Sequence, residues 1–209
     1  MRAPHAPAPT AAGQSNFPTD QFVNFVSHAF QGLLHVFRYL TVQELMAAAG
    51  VCKLWRELAL HHTHWRVVRL KNSRICDWTL FASHLRRAGT QHLDMRKMLF
   101  VASQDETWRD IAKAAGNLSE IRRIDFCRCP AEVVETMAAN CCRLRYVDAT
   151  SVSSSSVRLQ RMLPPSLTQL EELKIRGVSS AGLSLDDGLE SIGHLTSLKS
   201  LVKYLLHFI

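Results

Sequence analysis

Leu118-Ser119-Glu120-Ile121-Arg122-Arg123-Ile124-Asp125-Phe126 spaces its apolar residues at steps of three, three and two. The closing Ile-x-Phe step has the period of a short strand with one buried face. The step recurs along the chain as Val68-x-Leu70, Leu93-x-Met95, Ile124-x-Phe126, Val147-x-Ala149, Leu173-x-Ile175 and Leu201-x-Lys203, at intervals of 25, 31, 23, 26 and 28 residues. The three-residue lead-in recurs with it: Cys141 and Leu144, Leu167 and Leu170, Leu195 and Leu198. Between the strands, helical patterns cover Trp78 to Ala88, Asp105 to Ala115, Ala131 to Asn140, Ser154 to Met162 and Asp186 to Ile192. A single such unit has too little apolar surface to close a core, so the units must stack.

This spacing resembles the leucine-rich-repeat frame. The implied fold class is an α/β repeat in which parallel strands line a concave face and helices cover the convex one. About five to six repeats fill residues 66–209, and the ending Leu205-Leu206-His207-Phe208-Ile209 reads as lacking a polar cap. Residues flanking the leucine positions point into the concave opening and are the candidates for gripping a target protein. They are Asp94, Arg96, Arg123, Asp125, Cys127, Tyr146, Asp148, Thr150, Glu172, Lys174 and Arg176. Asp94, Asp125 and Asp148 share one repeat position and form an acidic row that basic neighbours offset.

Upstream of the repeats, residues 1–21 are rich in Ala and Pro and read as a disordered leader. Residues 22–65 then form a short helical module. Phe22, Val26, Ala29, Phe30, Leu33, Leu34, Phe37 and Leu40 share one helical face, with Gly32 as a weak point after which the helix is expected to begin. Thr41 and Glu44 have capping-box spacing, with Leu40 and Leu45 in the staple positions, so a second helix starts there and ends at Gly50. Val51, Leu54, Trp55 and Leu58 mark a third. Trp65 reads as the pin between this module and the first repeat, and Trp55 as either a pin or an interface anchor.

Within the module, the Val36-Phe37, Tyr39-Leu40, Val42, Leu45, Val51-Cys52, Trp55 and Trp65 positions together resemble an F-box. With repeats behind it, the chain over about residues 30–209 resembles the F-box and leucine-rich-repeat receptors of cullin-RING ubiquitin ligases. The resemblance implies that Leu33, Leu34, Phe37, Leu40, Leu45, Val51, Cys52 and Trp55 lie at or near the surface that grips a Skp-type adaptor. It also implies a substrate-recognition subunit that carries a target to ubiquitin-dependent proteasomal degradation, in the cytoplasm and/or nucleus. Where the family usually opens with a Leu-Pro step and acids, this chain has Ser27-His28-Ala29-Phe30-Gln31-Gly32. That departure suggests an alternative or partial product of a longer receptor. It also motivates a second expectation: a repeat scaffold or non-ligase isoform that binds a target without recruiting the ligase.

Composition narrows the remaining classes. With 47% hydrophobic and 21% charged residues, the 209-residue chain can bury a core. Its net charge of +7 arises from 25 Lys and Arg scattered among 18 Asp and Glu, so nucleic acid is not the expected partner. No run approaches the ~20 apolar residues of a membrane span, and Met1 to Asn16 lacks the apolar core of a secretory signal. Cys127-x-Cys129 and Cys141-Cys142 lack zinc-site spacing, and the six cysteines should stay reduced. His61, His62 and His64 read as a solvated connector. With no nucleotide loop, nucleophile elbow or paired carboxylates, neither catalysis nor a metal or cofactor is expected.

Overall fold

The computed structural model describes the backbone of residues 17–152, 163–177 and 193–204, and within these every side chain except those of 17–26, 150–151, 176–177 and 203–204. Helices α1 (Phe17–Phe37), α2 (Val42–Ala49), α3 (Lys53–Ala59) and α4 (His62–Trp65) come first. An alternation follows of β1 (Val67–Arg69), α5 (Trp78–Ala88), β2 (His92–Asp94), α6 (Gln104–Ala114), β3 (Arg123–Cys127), α7 (Ala131–Asn140), β4 (Tyr146–Val152), β5 (Glu172–Gly177) and β6 (Ser200–Tyr204).

The six strands form one parallel sheet in sequence order, β1 to β6. Its register joins the recurrent apolar positions: Val68 lies beside Leu93, Leu93 beside Ile124, Ile124 beside Val147, Val147 beside Leu173, and Leu173 beside Leu201. The ladder continues upstream of the strands. Gln91, Arg122, Arg145, Glu171 and Lys199 each donate a backbone N–H to the residue two before the preceding apolar position, from Arg66 O onward, at 2.7–3.0 Å. The lead-in residues turn the same way each time, with Ile121, Leu144, Leu170 and Leu198 donating to the carbonyls of Leu118, Cys141, Leu167 and Leu195. Identical spacing thus produces identical local hydrogen bonding, so each unit closes only against its neighbours.

Helices α5, α6 and α7 pack side by side on one face of the sheet. Between the layers Leu70, Leu85, Leu93, Met95, Trp108, Ile111, Ile124, Phe126, Val134 and Met137 are buried. Trp78–Ala88 and Ala131–Asn140 match the expected helices, while α6 starts one residue earlier than Asp105, after a capping box between Ser103 and Glu106. The expected helices at Ser154 to Met162 and Asp186 to Ile192, and the chain end from Leu205 to Ile209, lie outside the described residues.

Three expectations for the amino-terminal part change. Helix α1 opens at Phe17, within the expected leader, and runs unbroken through Gly32. A Cβ on Gly32 would face open space, so its cost of about 1 kcal/mol against Ala is too small to break a helix anchored by Leu33, Leu34 and Phe37. Gly50 caps α2 as expected, in right-handed geometry with φ −81°, and Gly89 caps α5 in left-handed geometry with φ 68°. A fourth helical turn, α4, occupies the expected histidine connector. Thr41 and Glu44 form the full capping box at the start of α2.

Asn72, Lys97 and Arg128 share one more feature of the repeat. Each lies four residues after a recurrent apolar position and has φ near +55° to +60°. Asparagine tolerates this region, but lysine and arginine meet Cβ strain there of roughly 1–2 kcal/mol. Arg128→Gly should therefore raise stability by about 0.5–1 kcal/mol in urea denaturation, the gain being reduced by glycine's larger unfolded-state entropy. A loss of stability in that variant would contradict the strain.

Candidate functional site

Two surfaces stand out, one on the helical module and one on the open face of the sheet. On the module, α1 packs against α3 and α3 against α2. Phe37 and Leu45, each 3% exposed, turn into this contact, while Leu33, Leu34 and Leu40 are half-buried. Val51, Cys52 and Trp55 face outward, and the Trp55 ring stands edge-on to Phe37 at 5.4 Å. The expected surface residues thus divide: Phe37 and Leu45 are internal supports, because they lie on the sides of α1 and α2 that meet the other helices. Sequence reasoning left out exposed neighbours. Val36 is 57% exposed, Tyr39 79%, Met46 51% and Leu54 45%.

An exposed set of large apolar side chains carried by short packed helices is the mark of a protein-binding face. A family model described as F-box-like matches residues 33–71, which is the span from within α1 past the end of β1. Residues 33–71 form an F-box-like domain. Domains of this kind generally bind Skp-type adaptors. A search of curated proteins returned no match to the chain.

The helical module meets the sheet through Trp65. That ring is fully buried, its Nε1–H donates to Ala59 O at 2.8 Å, and it lies edge-on to His84 at 4.2 Å. His64, in the preceding position, is half-buried against Phe37, and neither ring nitrogen has a hydrogen-bond partner among the described residues. Burial, then the charges of His61 and Arg38, hold its pKa below the usual histidine value. It is a packed residue rather than a solvated one.

On the open face of the sheet, β2 to β5 bring the expected target-binding residues together. Asp94 and Asp125, however, are consumed internally. Arg96 clasps Asp94 in a two-point contact at 2.8–2.9 Å, and this hydrogen bonding pushes the Arg96 pKa upward. Asp125, with a side chain 1% exposed, is held by His92 Nε2 at 2.6 Å and by Arg123 at 3.2–3.3 Å. Burial pushes the Asp125 carboxyl up, but the His92 and Arg123 hydrogen bonds and charges outweigh it and hold the group below the usual carboxylate range. His92, in register with the candidate Arg123, was left out of the expected set, because only its contact with Asp125 on the neighbouring strand marks it.

Asp148, in register with Asp125, differs. Its Oδ1 is buried without a hydrogen-bond partner among the described residues, and burial followed by repulsion from Asp125 raises its pKa. Glu172 is paired with Lys174 at 2.6 Å, and Tyr146 and Cys127 are half-buried. The side chains of Thr150 and Arg176 lie outside the described set. Cys129 and Cys141 are buried, and burial pushes both thiols up to about 12; Cys141 donates to Leu118 O. Among the described residues no three His, Cys, Asp or Glu side chains converge as a metal site would require, and no helix is long and apolar enough to cross a membrane.

The two aspartates should respond oppositely to loss of charge. Because the folded-state pKa of Asp125 is depressed, its stabilisation is complete above the ordinary carboxylate range and is lost as pH falls below it. Asp125→Asn is expected to cost about 2–3 kcal/mol in urea denaturation at pH 7, with the difference shrinking at pH 3. Asp148→Asn should leave stability unchanged or raise it by up to about 1 kcal/mol. Equal losses in the two variants would contradict the assignment.

Proposed function

We propose that the chain is the substrate-recognition subunit of an SCF-type ubiquitin ligase. The F-box-like domain grips a Skp-type adaptor and through it a cullin-RING ligase, and the sheet region grips a target protein destined for proteasomal degradation. One observation carries the reading: within the matched span, Val36, Tyr39, Met46, Val51, Leu54 and Trp55 are left in water on helices, and the turns joining them, that already have their own buried contacts. Their burial in a partner's groove is worth roughly 1.5–3 kcal/mol per large side chain before association costs.

The region behind the domain is read as a leucine-rich-repeat solenoid, supported by the aligned apolar positions and the repeated lead-in turns. Its open, strand-lined face is then the concave target surface. Asp148 is the carboxylate there with unused accepting capacity, and Arg96, Arg123, Tyr146, Glu172 and Lys174 surround it. The chain does no chemistry in this scheme. Holding a target lysine near a charged conjugating enzyme raises its effective concentration, and other subunits transfer the ubiquitin. The cytoplasm and nucleus are where such work would take place.

The departure at Ser27 to Gly32 supports a second reading, because α1 extends through that stretch as continuous helix. In that reading the chain is a scaffold that binds a target without recruiting a ligase. Target binding without ubiquitin transfer in a reconstituted assay favours the scaffold, and transfer rules it out.

Adaptor capture tests the first reading. Val51→Asp combined with Trp55→Ala is expected to weaken capture by at least about tenfold while costing only about 1 kcal/mol of stability. Phe37→Ala should instead act through the fold, costing about 3–5 kcal/mol by opening a cavity. Failure of the unmutated chain to bind adaptor at micromolar concentration, or undiminished capture by the double variant, would overturn the proposal.

A further inference from the structure

Lys and Arg are spread along the whole chain, but their excess over acids is concentrated around the first two strands. From Arg66 to Lys97 there are eight Lys and Arg against two acids, Asp77 and Asp94, so this stretch holds +6 of the net +7. Both acids are occupied. Asp77 caps α5 by accepting from the Leu80 N–H, and Asp94 is clasped by Arg96. Farther along the sheet Arg123, Arg143, Arg145, Lys174 and Lys199 each have a carboxylate partner. Arg69, Lys71, Arg74 and Lys97 have no such ion pair among the described residues, and all four are exposed.

The backbone holds these cations together. Arg69 closes β1, and Lys71 opens the turn after it. The next residue, Asn72, donates its N–H to Lys97 O at 2.9 Å, so the turns after β1 and β2 lie against each other. Asn72 and Lys97 share one backbone conformation, at φ 58° and 59°, and Arg74 is bridged to Leu99 in the same parallel sense. Adjacent turns of such a sheet sit about 4.8 Å apart, which places like charges in a crowded row that no internal group relieves. Beside the row Leu99 is 42% and Val101 55% exposed.

We infer that this rim of β1 and β2 is a docking surface for an acidic peptide segment of a protein partner, with an apolar side chain among its acids. The chemistry favours peptide over nucleic acid. Leu99 and Val101 give an apolar contact that a sugar-phosphate backbone would leave unused, whereas stacking platforms for bases need exposed aromatic rings. Tyr39 and Trp55, both exposed, lie in the helical module instead. The inference rests on the receptor reading insofar as the peptide belongs to the target, but the surface is made of other residues than the exposed apolar set of the helical module.

The test is fluorescence anisotropy with the full chain and three labelled probes: a glutamate-rich peptide containing leucine, its glutamine counterpart, and a single-stranded oligonucleotide of similar charge. The glutamate peptide is expected to bind and to weaken with added salt, while the glutamine peptide does not bind. Lys71→Gln, Arg74→Gln and Lys97→Gln together should weaken it about tenfold, while Arg86→Gln with Arg87→Gln, in the last turn of α5, changes it by less than about twofold. Circular dichroism and adaptor capture on both variants separate failure of this surface from failure of the fold or of the receptor reading. No binding by the unmutated chain, equal weakening by the two variants, or tighter binding of the oligonucleotide would each overturn the inference.

Discussion

The burial of Trp65 is the constraint on which the two halves of the molecule depend. Its ring is fully enclosed, its N–H is anchored on the last residue of α3, and it makes perpendicular ring contacts with His84 and Phe81 of α5. A buried tryptophan removes 150–250 Å² from water, worth about 4–6 kcal/mol of transfer free energy. Because the residue closes α4 two positions before β1, that energy fixes the angle at which the helical module leaves the sheet. Without it the domain would be tethered by a short connector. With it, whatever docks on the helices is held in a defined relation to whatever docks on the strands.

Behind this joint the architecture is close to one-dimensional. The units of β3 to β6 each contribute a strand and a three-residue lead-in turn, and the hydrogen-bond ladder passes from Arg66 through Gln91, Arg122, Arg145 and Glu171 to Lys199. The apolar side of each strand is spent on cohesion, which leaves the open side free to vary. Its charges fall into two groups. Asp94 and Asp125 are neutralised in place and add to the rigidity of the sheet, whereas Asp148 retains an unpaired carboxylate oxygen at some expense of stability. Such a locally unfavourable group on an open face is the kind that a partner's donor relieves.

Much of this was legible in the chain itself. The period-two steps alone identified all six strands and their register, because only one alignment places every apolar position in the same layer. Thr41 and Glu44 announced α2 through spacing. What escaped the sequence depends on contacts between elements. Val36 and Phe37 are adjacent and equally apolar, and the packing of α3 decides that Phe37 is buried and Val36 exposed. Likewise the burial of Asp125 comes from His92 on the neighbouring strand and cannot be read from β3. The left-handed turns at Lys97 and Arg128 carry no signal, since neither residue favours that conformation, whereas Gly50 ends α2 where the sequence placed it.

The central claim is that the apolar face of the helical module is built to be covered by another subunit while the sheet stays free for cargo. Hydrogen–deuterium exchange of the whole chain, alone and saturated with a Skp-type adaptor, tests it most directly. The account predicts slowed exchange from Val36 through Trp55, with β2 to β5 unchanged. Unaltered exchange across the helices, or protection confined to the strands, would contradict it.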